Sequence, residues 1–269
     1  MVLSSNECSA SDLIRTCRLS GKAGSRVRLT AGILGSLALF PLAAVQGTAT
    51  RCRMPSLPAA KPPHRGLFPG AGPLLRVLAI GDSSVSGIGV AGGDETVSAT
   101  TARALARLTG RPVAWRAVGL SGATVDKARE KLIPCLEPEP ADLLIVAFGV
   151  NDTVAYRSPA AFANDLATLV TAARGRVGPA AVVIGGVAPL GFFPGLPWPL
   201  RTILGWRSAA LQASAERLSE RLPRVVVERF TAPFASELFA SDGFHPNARG
   251  HALWGEEIAA LALPLLRPC

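Results

Sequence analysis

The sequence predicts an α/β fold in which a sheet of about five parallel strands lies between two layers of helices. Short apolar segments recur between residues 75 and 228, helix-like segments separate them, and the segment at 143–148, Leu-Leu-Ile-Val-Ala-Phe, is apolar throughout. A strand without polar alternation is typical of a sheet that is covered on both faces. Regular alternation of strands and helices favours parallel pairing through crossover helices.

Each predicted element has its own local signal. The predicted strands are 75–80, 113–118, 143–148, 181–187 and 225–228. The predicted helices are 94–110, with Asp94 as cap and Gly110 at the end; 124–132; 159–174, capped by Ser158; 200–222; and 246–263, with Pro246 in its first turn.

The positive charge belongs to the N-terminal part of the chain. The net charge is +9, but residues 1–73 hold nine Lys/Arg and two Asp/Glu, whereas residues 74–269 hold 19 and 17. The part that is predicted to be globular is therefore almost neutral, and no nucleic-acid partner is expected. Because 49% of the residues are hydrophobic and only 17% are charged, a disordered chain is also excluded.

The N-terminal part divides into two predicted regions that precede a globular domain at 74–269. Residues 1–46 contain an uncharged run at 29–45 behind five basic residues, which resembles a signal peptide and just reaches the length of a membrane anchor. Residues 47–73 are rich in Pro and Gly and are predicted to be a linker. Export or anchoring, with membrane association through 29–45, is favoured; translation from Met54 would instead give a cytoplasmic product.

Neither a metal nor a cofactor is expected. The five cysteines are odd in number and form no CxxC motif, and the chain has no HExxH motif. Cys135, the cysteine well inside the predicted domain, is interpreted as a buried, inert thiol.

Polar motifs stand where the predicted strands end, which is where parallel sheets bind ligands. Gly-Asp-Ser follows the first strand at 81–83, Gly-Leu-Ser-Gly follows the second at 119–122, and Gly-Val-Asn-Asp follows the third at 149–152. Asp-Gly-Phe-His precedes the last helix at 242–245. These four segments resemble, in order, the signature blocks of the SGNH (GDSL-type) hydrolases over residues 75–263. The resemblance implies a flavodoxin-like strand order and a carboxylic ester hydrolase.

The chemistry of a serine hydrolase requires a base beside the hydroxyl nucleophile. Histidine suits this role near neutral pH, and His245 has a carboxylate three residues away, at Asp242, that can orient its ring. His64 lies in the predicted linker, and His251 is interpreted as a surface residue or as one that is hydrogen-bonded within its helix. Ser83 matches the family's nucleophile because it follows Gly-Asp. The next residue, Ser84, replaces the leucine of the common motif.

The family resemblance also implies the donors that stabilise the oxyanion. It assigns this role to the Ser83 N–H, the Gly122 N–H and the Asn151 side-chain amide, with Gly119 as the alternative glycine. The aspartates of two motifs, Asp82 and Asp152, are expected to hold their loops through backbone hydrogen bonds.

A loop rich in Pro, Gly and aromatic residues at 189–199 is predicted to line the substrate pocket. Its side chains Phe192, Phe193 and Trp198 would lie beside Phe244. The alternative is a packing loop over the edge of the sheet.

Other functions receive less support from the sequence. A GxGxxG match at 87–92 starts six residues after its strand and lacks the acidic residue that binds ribose, which argues against dinucleotide binding. Two alternatives remain: acyl transfer to a sugar or lipid acceptor, and a catalytically silent, membrane-tethered binding protein. The prediction is a hydrolase of small-molecule or lipid esters that works through an acyl-serine.

Overall fold

A computed structural model of the chain describes residues 27–230 and 234–267. Its six strands are β1 (Arg65–Phe68), β2 (Leu75–Gly81), β3 (Val113–Gly119), β4 (Leu143–Ala147), β5 (Ala181–Ile184) and β6 (Val225–Val227). The α-helices are α1 (Val27–Ala38, from the start of the described residues), α2 (Phe40–Arg53), α3 (Val97–Thr109), α4 (Val125–Lys131), α5 (Val150–Val154), α6 (Pro159–Val177), α7 (Leu200–Ser219) and α8 (Ala248–Ala262).

The strands form one sheet in the order β1-β3-β2-β4-β5-β6. Strands β2 to β6 are parallel to one another, as the sequence predicts, and β1 pairs with β3 in antiparallel orientation. The fold is thus the expected α/β sandwich with one additional edge strand.

Both faces of the sheet are buried, which explains the unbroken apolar run in β4. Leu144 and Val146 belong to a core that α4, α6 and α7 cover. Leu143 and Ile145 point the other way, into a core that α3 and α8 cover. Alternate side chains along one strand therefore enter different cores, and neither face tolerates a polar residue.

The helix ends follow local capping chemistry, with two differences from the sequence prediction. The Ser158 hydroxyl accepts the Ala161 N–H at 3.2 Å, as expected of the cap of α6. The N-cap of α3 is Thr96, whereas Asp94 lies in a preceding turn of 3₁₀ helix. Helix α8 starts after Asn247, whose side chain accepts the Gly250 N–H at 3.0 Å, so the predicted start at Pro246 is wrong. Asn247 caps the helix because its side-chain oxygen accepts a backbone N–H, whereas proline has no side-chain acceptor.

The region at 47–73 is more ordered than the predicted linker. Helix α2 continues to Arg53, and β1 pairs with β3 at the edge of the sheet, with Gly66 opposite Trp115. Ala60 is buried, and its N–H donates to the Ser86 carbonyl at 3.1 Å. The sequence pattern predicts a linker here because β1 has only four residues and prolines lie on either side of it.

The uncharged run at 29–45 lies in α1 and α2, whose axes differ by 72°. In the described part of the chain, no single helix has the length and apolar character needed to cross a bilayer, although α1 and α2 taken together do. Cys135, predicted to be buried, is exposed at the end of a 3₁₀ turn.

Candidate active site

The ends of three neighbouring strands bring the sequence motifs together. Gly81, the last residue of β2, is level with Gly119 of β3 on one side and with Ala147 of β4 on the other. Beyond the strands, the Leu120 N–H donates to the Gly81 carbonyl at 2.9 Å, and the Asp82 N–H donates to the Ala147 carbonyl at 3.1 Å. The loops that follow β2, β3 and β4 therefore leave the sheet side by side.

Ser83, His245 and Asp242 form a continuous chain of hydrogen bonds at this edge. The Nε2 atom of His245 lies 3.1 Å from the Ser83 hydroxyl, and Nδ1 lies 2.6 Å from Asp242 Oδ2. Serine and histidine are 162 residues apart in the sequence. The geometry is that of a hydroxyl nucleophile, an imidazole base and a carboxylate that orients the base.

The Asp242 carboxylate is held on both of its oxygens. Oδ2 meets the His245 ring, and Oδ1 accepts the backbone N–H groups of Phe244 at 2.9 Å and His245 at 3.0 Å. Burial opposes ionisation of this carboxyl, but the hydrogen bonds from His245 and Phe244 outweigh burial and lower the Asp242 pKa. Asp242 is thus kept as an anion that faces Nδ1.

The segment that carries Asp242 and His245 is fixed before any ligand binds. The Ala240 N–H donates to the His245 carbonyl at 2.8 Å, and the Asn247 amide donates to the Phe239 carbonyl at 3.0 Å. Gly89, at φ +104°, approaches so closely that a Cβ there would lie 2.4 Å from the Pro246 carbonyl oxygen. Glycine is needed for this contact, which gives one of the glycines at 87–92 a packing role.

Asp82 joins the loops that carry Ser83 and Asn151. Its Oδ1 accepts the Ser84 N–H at 3.1 Å, and its Oδ2 accepts a proton of the Asn151 side-chain amide at 3.0 Å. Burial raises the pKa of Asp82 to about 6, although these hydrogen bonds favour the anion. The expectation that Asp82 holds its loop through a backbone hydrogen bond is confirmed.

Gly122 and Asp152 belong to the loops that follow β3 and β4. Gly122 is exposed in the turn after β3 at φ +75°, and no atom lies within 4 Å of where its Cβ would be. Space is open above its backbone, and only glycine adopts this conformation readily. Both oxygens of Asp152 accept the Val125 N–H at 3.3 Å, which is the structural role expected of it, and burial raises its pKa to about 7.

An apolar cavity of about 110 Å³ opens beside Ser83 and His245. Six phenylalanines from separate parts of the chain line it: Phe148, Phe193, Phe230, Phe234, Phe239 and Phe244. The ring of Phe193 packs edge-on against those of Phe239 and Phe244, with centroids 5.1 and 5.3 Å apart. The cavity therefore places an apolar group next to the serine hydroxyl.

Comparison with known proteins agrees with this geometry. Residues 79–253 match the model of the GDSL-like Lipase/Acylhydrolase family. The chain belongs to this family. This chain is 29% identical to a GDSL-like esterase of Mycobacterium tuberculosis over 248 residues, which are 83% of this chain and 78% of that protein. Family membership makes the chain a serine hydrolase of carboxylic esters.

Solved structures share the fold of the GDSL-like hydrolase. A family 3 carbohydrate esterase of Clostridium thermocellum superposes with a TM-score of 0.56 at 15% identity, covering 72% of this chain and 98% of that one. A lipase from a goat rumen metagenome gives 0.56 at 16% identity, covering 69% and 96%. A lipase/acylhydrolase of Enterococcus faecalis gives 0.52 at 21% identity, covering 72% and 98%.

Two of the four side chains that were predicted to line the pocket lie in the cavity wall. Phe193 and Phe244 line it, as expected. Phe192 and Trp198 do not: their side chains are 68% and 72% exposed. The 3₁₀ turn at Leu190–Phe192 directs successive side chains apart, so neighbours in sequence cannot share one wall.

Sequence reasoning missed much of the cavity wall of the GDSL-like hydrolase. Phe230, Phe234, Phe239 and Trp254 also line it. The available signal is the recurrence of phenylalanine at short intervals before the motif at 242–245.

His251 has a structural role in the GDSL-like hydrolase. It is fully buried, and its Nδ1 accepts the Val97 N–H in the first turn of α3 at 3.1 Å. Burial lowers its pKa to about 3, so the ring is neutral and can accept this bond. The surface alternative is wrong: the ring is hydrogen-bonded inside the fold, to α3 and not within its own helix, and its Nε2 has no hydrogen-bond partner within residues 27–230 and 234–267. Among the described residues, no group of three or more His, Cys, Asp or Glu is placed to hold a metal ion.

Proposed function

We propose that Ser83 is the nucleophile of this ester hydrolase, His245 its general base and Asp242 the residue that orients the base. The observation that carries the proposal is the unbroken path from the Ser83 hydroxyl through His245 Nε2 and Nδ1 to Asp242. Ser83 Oγ attacks the ester carbonyl while His245 takes its proton. His245 then gives that proton to the departing alcohol, which leaves an acyl-serine.

Water completes the reaction by the same route. His245 removes a proton from a water molecule that attacks the acyl-serine, and the carboxylic acid leaves as Ser83 regains its proton. The Ser83 N–H, the Gly122 N–H and the Asn151 amide stabilise the oxyanion of both tetrahedral intermediates. Asn151 has two amide protons. One bonds to Asp82, which fixes the amide and leaves the second for the oxyanion.

We propose that the cavity of six phenylalanines holds the acyl group of the substrate. Its wall is apolar next to Ser83, and each buried methylene contributes about 0.8 kcal/mol. Esters with an apolar acyl chain should therefore be better substrates than acetylated sugars. The catalytic unit in this proposal includes β1 and so begins upstream of residue 74. Its cellular location is proposed to be outside the cytoplasm or at a membrane, through the run at 29–45.

A fluorophosphonate probe tests the nucleophile directly, because it phosphonylates an activated serine. The parent and the Ser84→Ala control are expected to be labelled and to hydrolyse p-nitrophenyl esters. Ser83→Ala should lose both properties while it unfolds at the parent's temperature. Labelling of Ser83→Ala at the parent's rate would refute the assignment. A p-nitrophenyl series of increasing acyl length, beside acetylated saccharides, identifies the preferred substrate class.

A further inference from the structure

Helices α1 and α2 are built into the catalytic domain by specific contacts. Gly32 and Gly35 lie so close to the Trp206 side chain of α7 that a Cβ on either would be 3.1 Å from one of its atoms. The Gln46 side chain donates to the Trp198 carbonyl at 3.0 Å and accepts the Leu200 N–H at 2.9 Å. These contacts fix one face of the helix pair against the domain.

A buried arginine strengthens this attachment. Arg207 of α7 is 4% exposed; it donates to the Ser36 hydroxyl at 3.4 Å and to the Arg157 carbonyl at 2.9 Å. Its guanidinium also lies 4.1 Å from the centre of the Tyr156 ring, against which Phe40 packs edge-on. Pulling α1 away would leave a buried charge short of partners, which is unfavourable.

The opposite face of the helix pair is apolar and exposed. Four large side chains form this outer face, which is named here the docking face: Leu34 (61% exposed), Leu37 (53%), Leu42 (47%) and Val45 (72%). Trp198, whose carbonyl binds Gln46, is itself 72% exposed. Several large apolar side chains exposed on one short helix pair are typical of an interaction site.

The charge around the docking face is of one sign. Residues 27–73 contain five Lys/Arg and no Asp/Glu, and Arg28, Arg51 and Arg53 are all exposed. Basic residues that flank an apolar face complement the anionic headgroups of a bilayer. A symmetric contact between two copies would place these like charges against each other, which is unfavourable.

We propose that the docking face binds the surface of an anionic lipid bilayer and holds the enzyme there without crossing the membrane. The inner face cannot leave Trp206 and Arg207 to form a spanning helix without losing the contacts described above. Ala43, on the buried side of α2, belongs to the same apolar cluster as Phe193, which lines the cavity. Resting on the proposed function, this inference makes lipid-soluble esters in the bilayer the substrate class.

Vesicle flotation of the full chain tests the docking face. Vesicles of phosphatidylcholine with phosphatidylglycerol should bind the parent, and phosphatidylcholine alone should bind it more weakly. Leu34→Glu and Val45→Glu should each lower the bound fraction at least about tenfold, since each places a charge in the apolar layer. The matched control is Leu67→Glu on β1, 62% exposed in the parent, which should bind like the parent. Arg51→Gln with Arg53→Gln should abolish the preference for anionic vesicles.

Hydrolysis of a soluble ester separates this proposal from the proposed catalytic roles. All of these surface variants should keep the parent's kcat/KM on p-nitrophenyl butyrate, and Ser83→Ala should float like the parent while it is inactive. The proposal is overturned if Leu34→Glu and Val45→Glu float like the parent or if the parent does not float. A parent dimer that Val45→Glu dissociates, with no vesicle binding, would assign the face to a second copy instead.

Discussion

Replacing Asp242 with Asn tests the orienting carboxylate at almost constant side-chain volume. In the parent, Oδ1 accepts two backbone N–H groups and Oδ2 faces His245 Nδ1 at 2.6 Å. The amide of Asn retains one oxygen, which the two N–H groups require, so its NH₂ group turns toward Nδ1. Nδ1 must then act as acceptor, and the neutral ring carries its proton on Nε2. In that tautomer, His245 cannot take the proton of Ser83.

The expected effect is a large loss in kcat with little change in KM. Asn in place of the triad aspartate lowers kcat by about 10⁴ in a serine protease through the same wrong tautomer. At about 1.36 kcal/mol per factor of ten, this is roughly 5 kcal/mol of transition-state stabilisation. KM should stay within about threefold, because Asp242 is 7% exposed and has no direct access to substrate.

Steady-state hydrolysis of p-nitrophenyl butyrate measures both constants. The matched control is Asp94→Asn, the same chemical change at an exposed position, which should retain the parent's kcat. Thermal unfolding of each variant establishes that the site is intact. A kcat for Asp242→Asn within about tenfold of the parent, in a protein that unfolds like the parent, would refute the proposed role.

Two further predictions concern the cavity and a buried carboxyl group. Phe193→Ala removes a ring that packs against three others, so the free energy of unfolding should fall by about 3–5 kcal/mol. The wider cavity should also shift the preference towards esters with a larger acyl group. Trp198→Ala is the control and should leave the acyl preference unchanged. Burial, helped by a hydrogen bond with Glu257, raises the pKa of Glu228 from 4.5 to about 10. The stabilising contribution of protonated Glu228 is therefore complete below pH 4.5 and is lost as pH rises towards 10. The Tm of Glu228→Gln minus that of the parent should thus increase with pH. A difference that stays constant would contradict this prediction.

The sequence predicts the central sheet well because burial on both faces leaves a local trace. The apolar run that becomes β4 is visible without knowledge of its neighbours. Strand β1 leaves no such trace: Arg65 and Leu67 are exposed, and its pairing partner begins 45 residues after its own last residue. An edge strand of four residues depends on its neighbour for its conformation, so local pattern does not predict it.

The motifs of the candidate site can be predicted from local sequence, whereas the wall of its cavity cannot. Each motif follows a strand or precedes a helix, so strand prediction alone places the loops of Ser83 and Asn151 at one edge of the sheet. The cavity wall depends on packing between distant segments. Phe230 and Phe234 lie where the described chain has no regular secondary structure, and only the fold brings them to Phe193.

The carboxylate of Asp82 has a consequence for the timing of substrate recognition. Asp82 is the residue next to Ser83, and its carboxylate accepts a hydrogen bond from the Asn151 amide. This one side chain therefore couples the positions of the two loops. In the proposed mechanism, the nucleophile and the amide donor are thereby held at their mutual spacing before an ester arrives, so the donor needs no reorganisation during the reaction.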